Sequence, residues 1–211
     1  MEQVMAEAHF RTHEAIIFGW RRFKENAGFL LLLGLGLGVL MLIANGLQRA
    51  AVGAPPVLSV LYLAVVAVNA FISFAVVAAT LEIHDYGEAG IDDVRRQLPV
   101  FPQYLVGYVL FGAAIIIGYF LLILPGIYLT VKLFFYMYLV VDRKMNGIDA
   151  LKTSYEMTAG RFREVFVFLL AIFAINVVGF LLMGIGLLVT IPVTSIAAAH
   201  VYRSLSGKPP S

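Results

Sequence analysis

The sequence predicts an all-α membrane protein: a polytopic helical bundle of about six spans, arranged as three hairpins with amphipathic interfacial helices. Three observations carry this. Of 211 residues, 61% are hydrophobic and 13% are charged, with a mean hydropathy of +0.92, whereas a soluble domain carries about 25% charged residues. The apolar residues fall in runs of the roughly 20 residues that a helix needs to cross hydrocarbon. And six spans with both ends inside leave all but Arg49 and Lys132 of the 15 Lys and Arg residues on the cytosolic side, the bias of the positive-inside rule.

The spans are taken in order. The first runs over 27–47 and the second over 56–81. The third, 104–124, ends where Pro125-Gly126 breaks it, and the fourth, 127–141, follows at once. The fifth covers 165–183, with Gly184 and Gly186 as punctuation, and the sixth covers 187–202. Pro and Gly at these junctions mark helix boundaries, so spans three/four and five/six form tight hairpins. Pro192, inside the sixth, should kink that helix or mark its start. The segments LLLLGLGLGVLML and VFVFLLAIFAINVVGFLLMGIGLLVTI lack the polar/apolar alternation of a membrane barrel. No apolar core precedes Ala27, so the first span is expected to stay in the protein rather than be cleaved.

Between the spans lie shorter amphipathic stretches at 12–26, 91–98 and 147–163. Ile16, Trp20 and Phe23 form the apolar stripe of the first, and Ile148, Leu151, Tyr155 and Phe162 that of the last. Gly90-Ile91-Asp92-Asp93-Val94 resembles Gly147-Ile148-Asp149-Ala150-Leu151, so the chain reads as three degenerate copies of a short helix followed by a two-span hairpin. The short helices are expected in the cytosolic interface, anchored by Trp20, Arg21, Arg22, Asp142 and Arg161.

Lys132 is the anomaly among the spans. It lies about 10 Å along the helix from Pro125 at 1.5 Å per residue, where insertion costs about 2.5–3.5 kcal/mol. Either it faces the bundle and holds a substrate, an anion or a carboxylate, or it snorkels or bonds carbonyls of the Pro125 hairpin. Tyr136, one turn on, shares that environment in this reading, while Tyr138 belongs to an aromatic belt. Asn69 and Asn176 lie inside the second and fifth spans, as interhelical packing groups or as part of a solute path. Gly34 and Gly38 make a GxxxG pattern read as close packing within the chain.

Other chemistry is sparse. There are no cysteines, so disulfides and thiolate ligands are excluded. A net charge of +2 is too small to argue for nucleic acid. His9 and His13 share a helical face, but HEAII has Ile17 where a zinc motif needs its second His, so no metal or cofactor is expected. The segment holding Glu82, His84, Asp85, Glu88, Asp92 and Asp93 reads as a solvated acidic loop rather than a cation site. No GxSxG, Walker or HExxH motif occurs, and a lipid-directed enzyme around His84, Asp85 and Asp142 has little to build on. The chain is expected not to be an enzyme.

The segment LPGIYLTVKLFFYMYLVVDRKMNGIDALKTSYEMTAGRFREVFVF resembles the bacterial multi-span proteins grouped with the membrane domain of glycerophosphoryl diester phosphodiesterase. The shared positions are Pro125, Gly126, Ile127, Lys132, Asp142, Gly147, Ala150, Leu151, Ser154, Thr158 and Gly160. The resemblance implies about six helical spans in a bacterial cytoplasmic membrane and makes the basic residue at 132 part of a pattern. It implies Asp142 and Ser154 as caps or tethers, and Thr158 and Gly160 as the end of the amphipathic helix. The catalytic barrel of those phosphodiesterases has no counterpart here. The expected function is a non-catalytic membrane scaffold or accessory protein, contacting the bilayer and a membrane protein partner or a second copy. The alternative is a small-solute or anion transporter or channel using Lys132.

Overall fold

The computed structural model describes residues 10–50, 55–182 and 184–207, and among them every element is helical. His9, Met183 and Lys208 lie outside the described residues. The order is α1 (Thr12–Glu25), α2 (Ala27–Ala50), α3 (Pro55–Tyr86), α4 (Ile91–Gln97), a 3-10 turn (Leu98–Val100), α5 (Phe101–Leu121), α6 (Ile123–Leu133), α7 (Tyr136–Arg143), α8 (Gly147–Met157), α9 (Phe162–Leu181) and α10 (Leu187–Ser206). Helices α1, α4 and α8, of 14, 7 and 11 residues, each precede a longer helix.

Among the described residues, five segments are long and apolar enough to cross a membrane: Ala27–Leu47, Val60–Tyr86, Ile91–Leu121, Ile123–Arg143 and Phe162–Leu181. Their outer faces leave large side chains bare, among them Phe120 at 90% and Leu124 at 78% exposure, which hydrocarbon tolerates and water does not. The sixth expected span, α10, is 20 residues long but is not among the five. It carries Thr190, Thr194, Ser195, His200 and Arg203, and its second half, from Val193 to Arg203, is largely buried. A helix wrapped by protein can be more polar than one facing lipid, because its neighbours supply the hydrogen bonds.

Helix ends differ from expectation in ways the backbone explains. The second span does not stop at Leu81; α3 continues to Tyr86, so Glu82, His84 and Asp85 lie on its last turns rather than in a loop. The break between the third and fourth spans falls at Leu122, which is extended (φ −168°, ψ 156°), not at Pro125-Gly126. Pro125 instead occupies the first turn of α6, where a backbone N–H would have no partner within the helix. Gly126 lets the hairpin close: a Cβ on Gly118 would lie 2.9 Å from the Gly126 Cα. The fourth span is itself two helices, α6 and α7, interrupted at Phe134 and Phe135. Helix α10 starts at Leu187, ahead of Pro192, so the proline sits inside it. Gly184 makes the α9–α10 turn at φ +78°.

The inward faces of α1 and α8 are built mainly from small residues, with Phe23 the one member of the apolar stripes that is fully turned in. Helix α1 buries Ala15, Gly19 and Phe23 and exposes Ile17 and Trp20. Helix α8 buries Gly147, Ala150 and Ser154 and exposes Ile148 and Tyr155. The physical reason is distance. A Cβ on Gly19 would run into the Val193 carbonyl of α10, and one on Gly147 would lie 2.5 Å from the Gly107 nitrogen of α5. Helices this close accept only small residues between them. The GxxxG reading of α2 fails by the same measure, since a Cβ on Gly38 would have no neighbour within 4 Å and one on Gly34 would only touch Leu188.

Candidate functional site

Lys132 is buried at the end of α6. Its Nζ lies 4.8 Å from the ring centre of Tyr155 and 5.8 Å from that of Tyr128, and the two phenol oxygens are 3.1 Å apart. A cation over two ring faces is stabilised by their quadrupoles, by about 2 kcal/mol when desolvated, which offsets much of the insertion cost. Tyr136 is not in this cage. It packs between Tyr104 and Phe111 at ring distances of 6.1 and 5.0 Å.

The backbone around Lys132 is the more specific feature. Where α6 gives way to α7, the Lys132 carbonyl and the Phe135 N–H lose their helical partners. Ser154 replaces both: its hydroxyl accepts from Phe135 N–H at 3.1 Å and donates to the Lys132 carbonyl at 2.9 Å. Thr158, one turn on, reaches the same carbonyl at 3.3 Å. Both hydroxyls are fully buried. Non-helical backbone at membrane depth needs such internal partners. Gly147, Ala150 and Ser154 share the buried face of α8, Thr158 caps its C-terminus, and Gly160, at φ +77°, follows. The helix thus stops at Met157, short of the expected 163.

A second polar centre joins α3, α7 and α10. Arg203, with its side chain 5% exposed, lies 2.8 Å from Asp142, itself 7% exposed. Its Nε also donates to Asp85 at 3.0 Å, and its Nη2 bonds the other oxygen of that carboxylate. Tyr202 donates to Asp142 at 2.7 Å. His84 Nδ1 is 3.0 Å from Asp85, its Nε2 is 3.3 Å from His200, and Phe18 of α1 stacks on His200 at 4.6 Å. Asp142 is therefore an internal ion-pair partner and not an interfacial anchor. A cavity of about 180 Å³ beside it is lined by Glu82, Tyr86, Gln97 and Lys144 with the three charged groups. Sequence reasoning missed Arg203 and His200 because it treated them only as terminal charge and span filler. Of the residues expected in a solvated acidic loop, His84 and Asp85 are drawn into this centre, whereas Glu88 and Asp92 are exposed as expected, and among the described residues no group of three or more His, Cys, Asp or Glu side chains is placed to hold a metal.

The remaining anchors sit at the surface. Trp20 is half exposed beside Phe23, and Arg21 and Arg22 lie over Phe18 at 5.7 and 5.6 Å. Arg161 precedes α9 and lines a groove with Phe10, Thr12 and Glu164. Asn26, which the sequence did not single out, ties the α1–α2 junction to the end of α3 by donating to the Gly87 carbonyl at 2.8 Å.

Asn69 and Asn176 come together without Lys132. Both line a cleft of about 310 Å³ between α3 and α9, floored by α7 and α10. Asn69 donates to the Val65 carbonyl and Asn176 to the Ile172 carbonyl, each at 2.8 Å, and Asn176 also donates to Thr194 at 3.1 Å. Tyr138, expected in an aromatic belt, is buried here and donates to the Ser195 carbonyl at 3.1 Å.

Compared with known families, residues 98–206, just over half of the chain, match the model of a family described as a domain of unknown function (DUF7847). No curated protein and no solved structure matches. The matched stretch covers α5 through α10, which includes the Lys132 break, Asp142 and Arg203.

Proposed function

The chain belongs to the DUF7847 family of domains of unknown function, and from that premise we propose a non-catalytic membrane scaffold or accessory protein. It sits in a bacterial cytoplasmic membrane with both termini cytosolic, and α1, α4 and α8 lie as amphipathic helices in the cytosolic interface. One observation carries this reading. These three helices turn mostly small residues inward, with Phe23 and Val94, and leave Ile17 and Trp20, Ile91, and Ile148 and Tyr155 outward, beside Arg21, Lys24, Arg95, Arg96 and Lys152. An outer face of large apolar and basic side chains is what binds an anionic lipid surface or the juxtamembrane part of a partner. The polar groups inside the bundle serve its own construction: Ser154 and Thr158 fill a backbone break, and Arg203 is paired.

The motif from Pro125 to Gly160 is what supports a kinship with the membrane domain of the phosphodiesterases within this reading. The rival reading, a small-solute or anion transporter built on Lys132, is less well supported, because the ammonium is lodged against Tyr128 and Tyr155. Cross-linking in native membranes followed by extraction into polymer-bounded nanodiscs tests the proposal. A reproducible adduct with a second membrane protein or a second copy is expected. A chain that is always extracted alone, as a monomer, overturns it.

A further inference from the structure

We propose that the cleft between α3 and α9 is a binding site for a compact, uncharged molecule that carries a hydrogen-bond donor on an apolar body. Helices α3 and α9 scarcely touch along it, so it opens between spans rather than being sealed within one helix pair. Its lining includes Asn69, Ser73, Tyr138, Asn176, Thr194 and Ser195 among apolar side chains, and no charged residue is among them. Without a carboxylate or a basic group in the apolar layer, the cleft cannot repay the transfer of an ion, which selects against charged ligands of either sign.

The hydrogen-bond inventory sets the ligand's polarity. Both N–H groups of Asn176, one of Asn69 and the hydroxyls of Tyr138 and Thr194 already donate to backbone carbonyls or to each other. Asn176 Oδ1 is different: it is buried and accepts from nothing. An acceptor with no donor in hydrocarbon is costly, and a ligand N–H or O–H in the cleft would relieve it as the Asn176 side chain turns to meet it. The volume is at the lower end of the range of small-molecule sites, which favours a compact ligand. The scaffold reading does not require this site, and the site can fail without touching that reading.

The test uses the full chain in lipid nanodiscs and fluorine NMR with 4-fluorophenol and its near-isostere 4-fluorotoluene, which lacks the donor. The expected result is saturable binding of 4-fluorophenol, about three- to tenfold tighter than 4-fluorotoluene, the range that one membrane-embedded hydrogen bond supplies. Asn176→Leu brings that ratio to one, while Asn45→Leu, an exposed amide on α2, leaves it intact. Ile191→Trp fills the cleft without altering the amide and abolishes binding of both probes, which keeps the test decisive if Asn176→Leu does not fold. Equal binding of the two probes, a ratio that survives Asn176→Leu, or binding that survives Ile191→Trp overturns the proposal.

Discussion

Arg203 and Ser154 show what single polar side chains do inside this bundle. Arg203 holds two carboxylates from different helices, Asp85 and Asp142. Removing one partner of a buried ion pair costs about 3–5 kcal/mol, largely because the other charge is left uncompensated. Arg203→Met is therefore expected to destabilise the protein by about that amount in denaturant titrations in detergent. The triple variant with Asp85→Asn and Asp142→Asn should recover most of the loss, and a triple variant as unstable as the single one would refute the ion-pair account. Ser154 gives a smaller effect by another route. Ser154→Ala orphans the Phe135 N–H and leaves the Lys132 carbonyl to Thr158 alone, an expected loss of about 1–3 kcal/mol. Thermal unfolding that is unchanged in Ser154→Ala would mean that the α6–α7 break does not depend on the hydroxyl.

Helices α1 and α8 make their closest approaches through small residues. Gly19 sets how closely α1 crosses α10, since any side chain there meets the Val193 carbonyl. Gly19→Leu is expected to lift α1 from the bundle, with a stability loss of about 1–3 kcal/mol from overpacking. The chain's single tryptophan, Trp20, reports the displacement directly through its emission maximum. Ile17→Ala, on the exposed face, should leave both readouts unchanged, and equal effects of the two substitutions would show that the burial pattern of α1 is wrong. Hydrophobic periodicity located α1 and α8 within a few residues, and the stripes it assigned to the interface divide: Trp20, Ile148 and Tyr155 are exposed, Ile16 and Leu151 are half-buried and Phe23 is buried. What periodicity did not reveal is the packed face, because Ala15, Gly19, Gly147 and Ala150 are too small to stand out in a hydropathy pattern. Close approach between helices selects small residues there. For α3, the sequence put the end at Leu81 because Glu82, His84 and Asp85 looked like loop residues. Their partners His200 and Arg203 lie far along the chain on α10, where no local pattern reveals them.

For the molecule as a whole, the membrane class and the approximate position of every long helix were legible, because apolar runs of this length have few other uses. Orientation is a separate matter that the proposal fixes by charge. The chain has no native cysteine, so single cysteines can be placed at will. Lys24→Cys and Arg163→Cys are expected to react with an impermeant maleimide only after the membrane is opened, and Arg49→Cys to react from outside in intact cells. Labelling of Lys24→Cys and Arg163→Cys from opposite sides would remove the three-hairpin topology. Of the intramembrane polar residues, the sequence named Lys132, Asn69 and Asn176, since any such group is conspicuous against hydrocarbon, but it could not say which belong together. The amino-acid sequence by itself determined that this chain lies in a bilayer as helices, because transfer free energy is a property of each segment's own side chains. Only the tertiary structure decided that Asn69 and Asn176 line one cleft, that Lys132 meets Tyr155 and that Arg203 meets Asp142, because such groupings depend on ångström distances between helices that the order of residues does not encode locally.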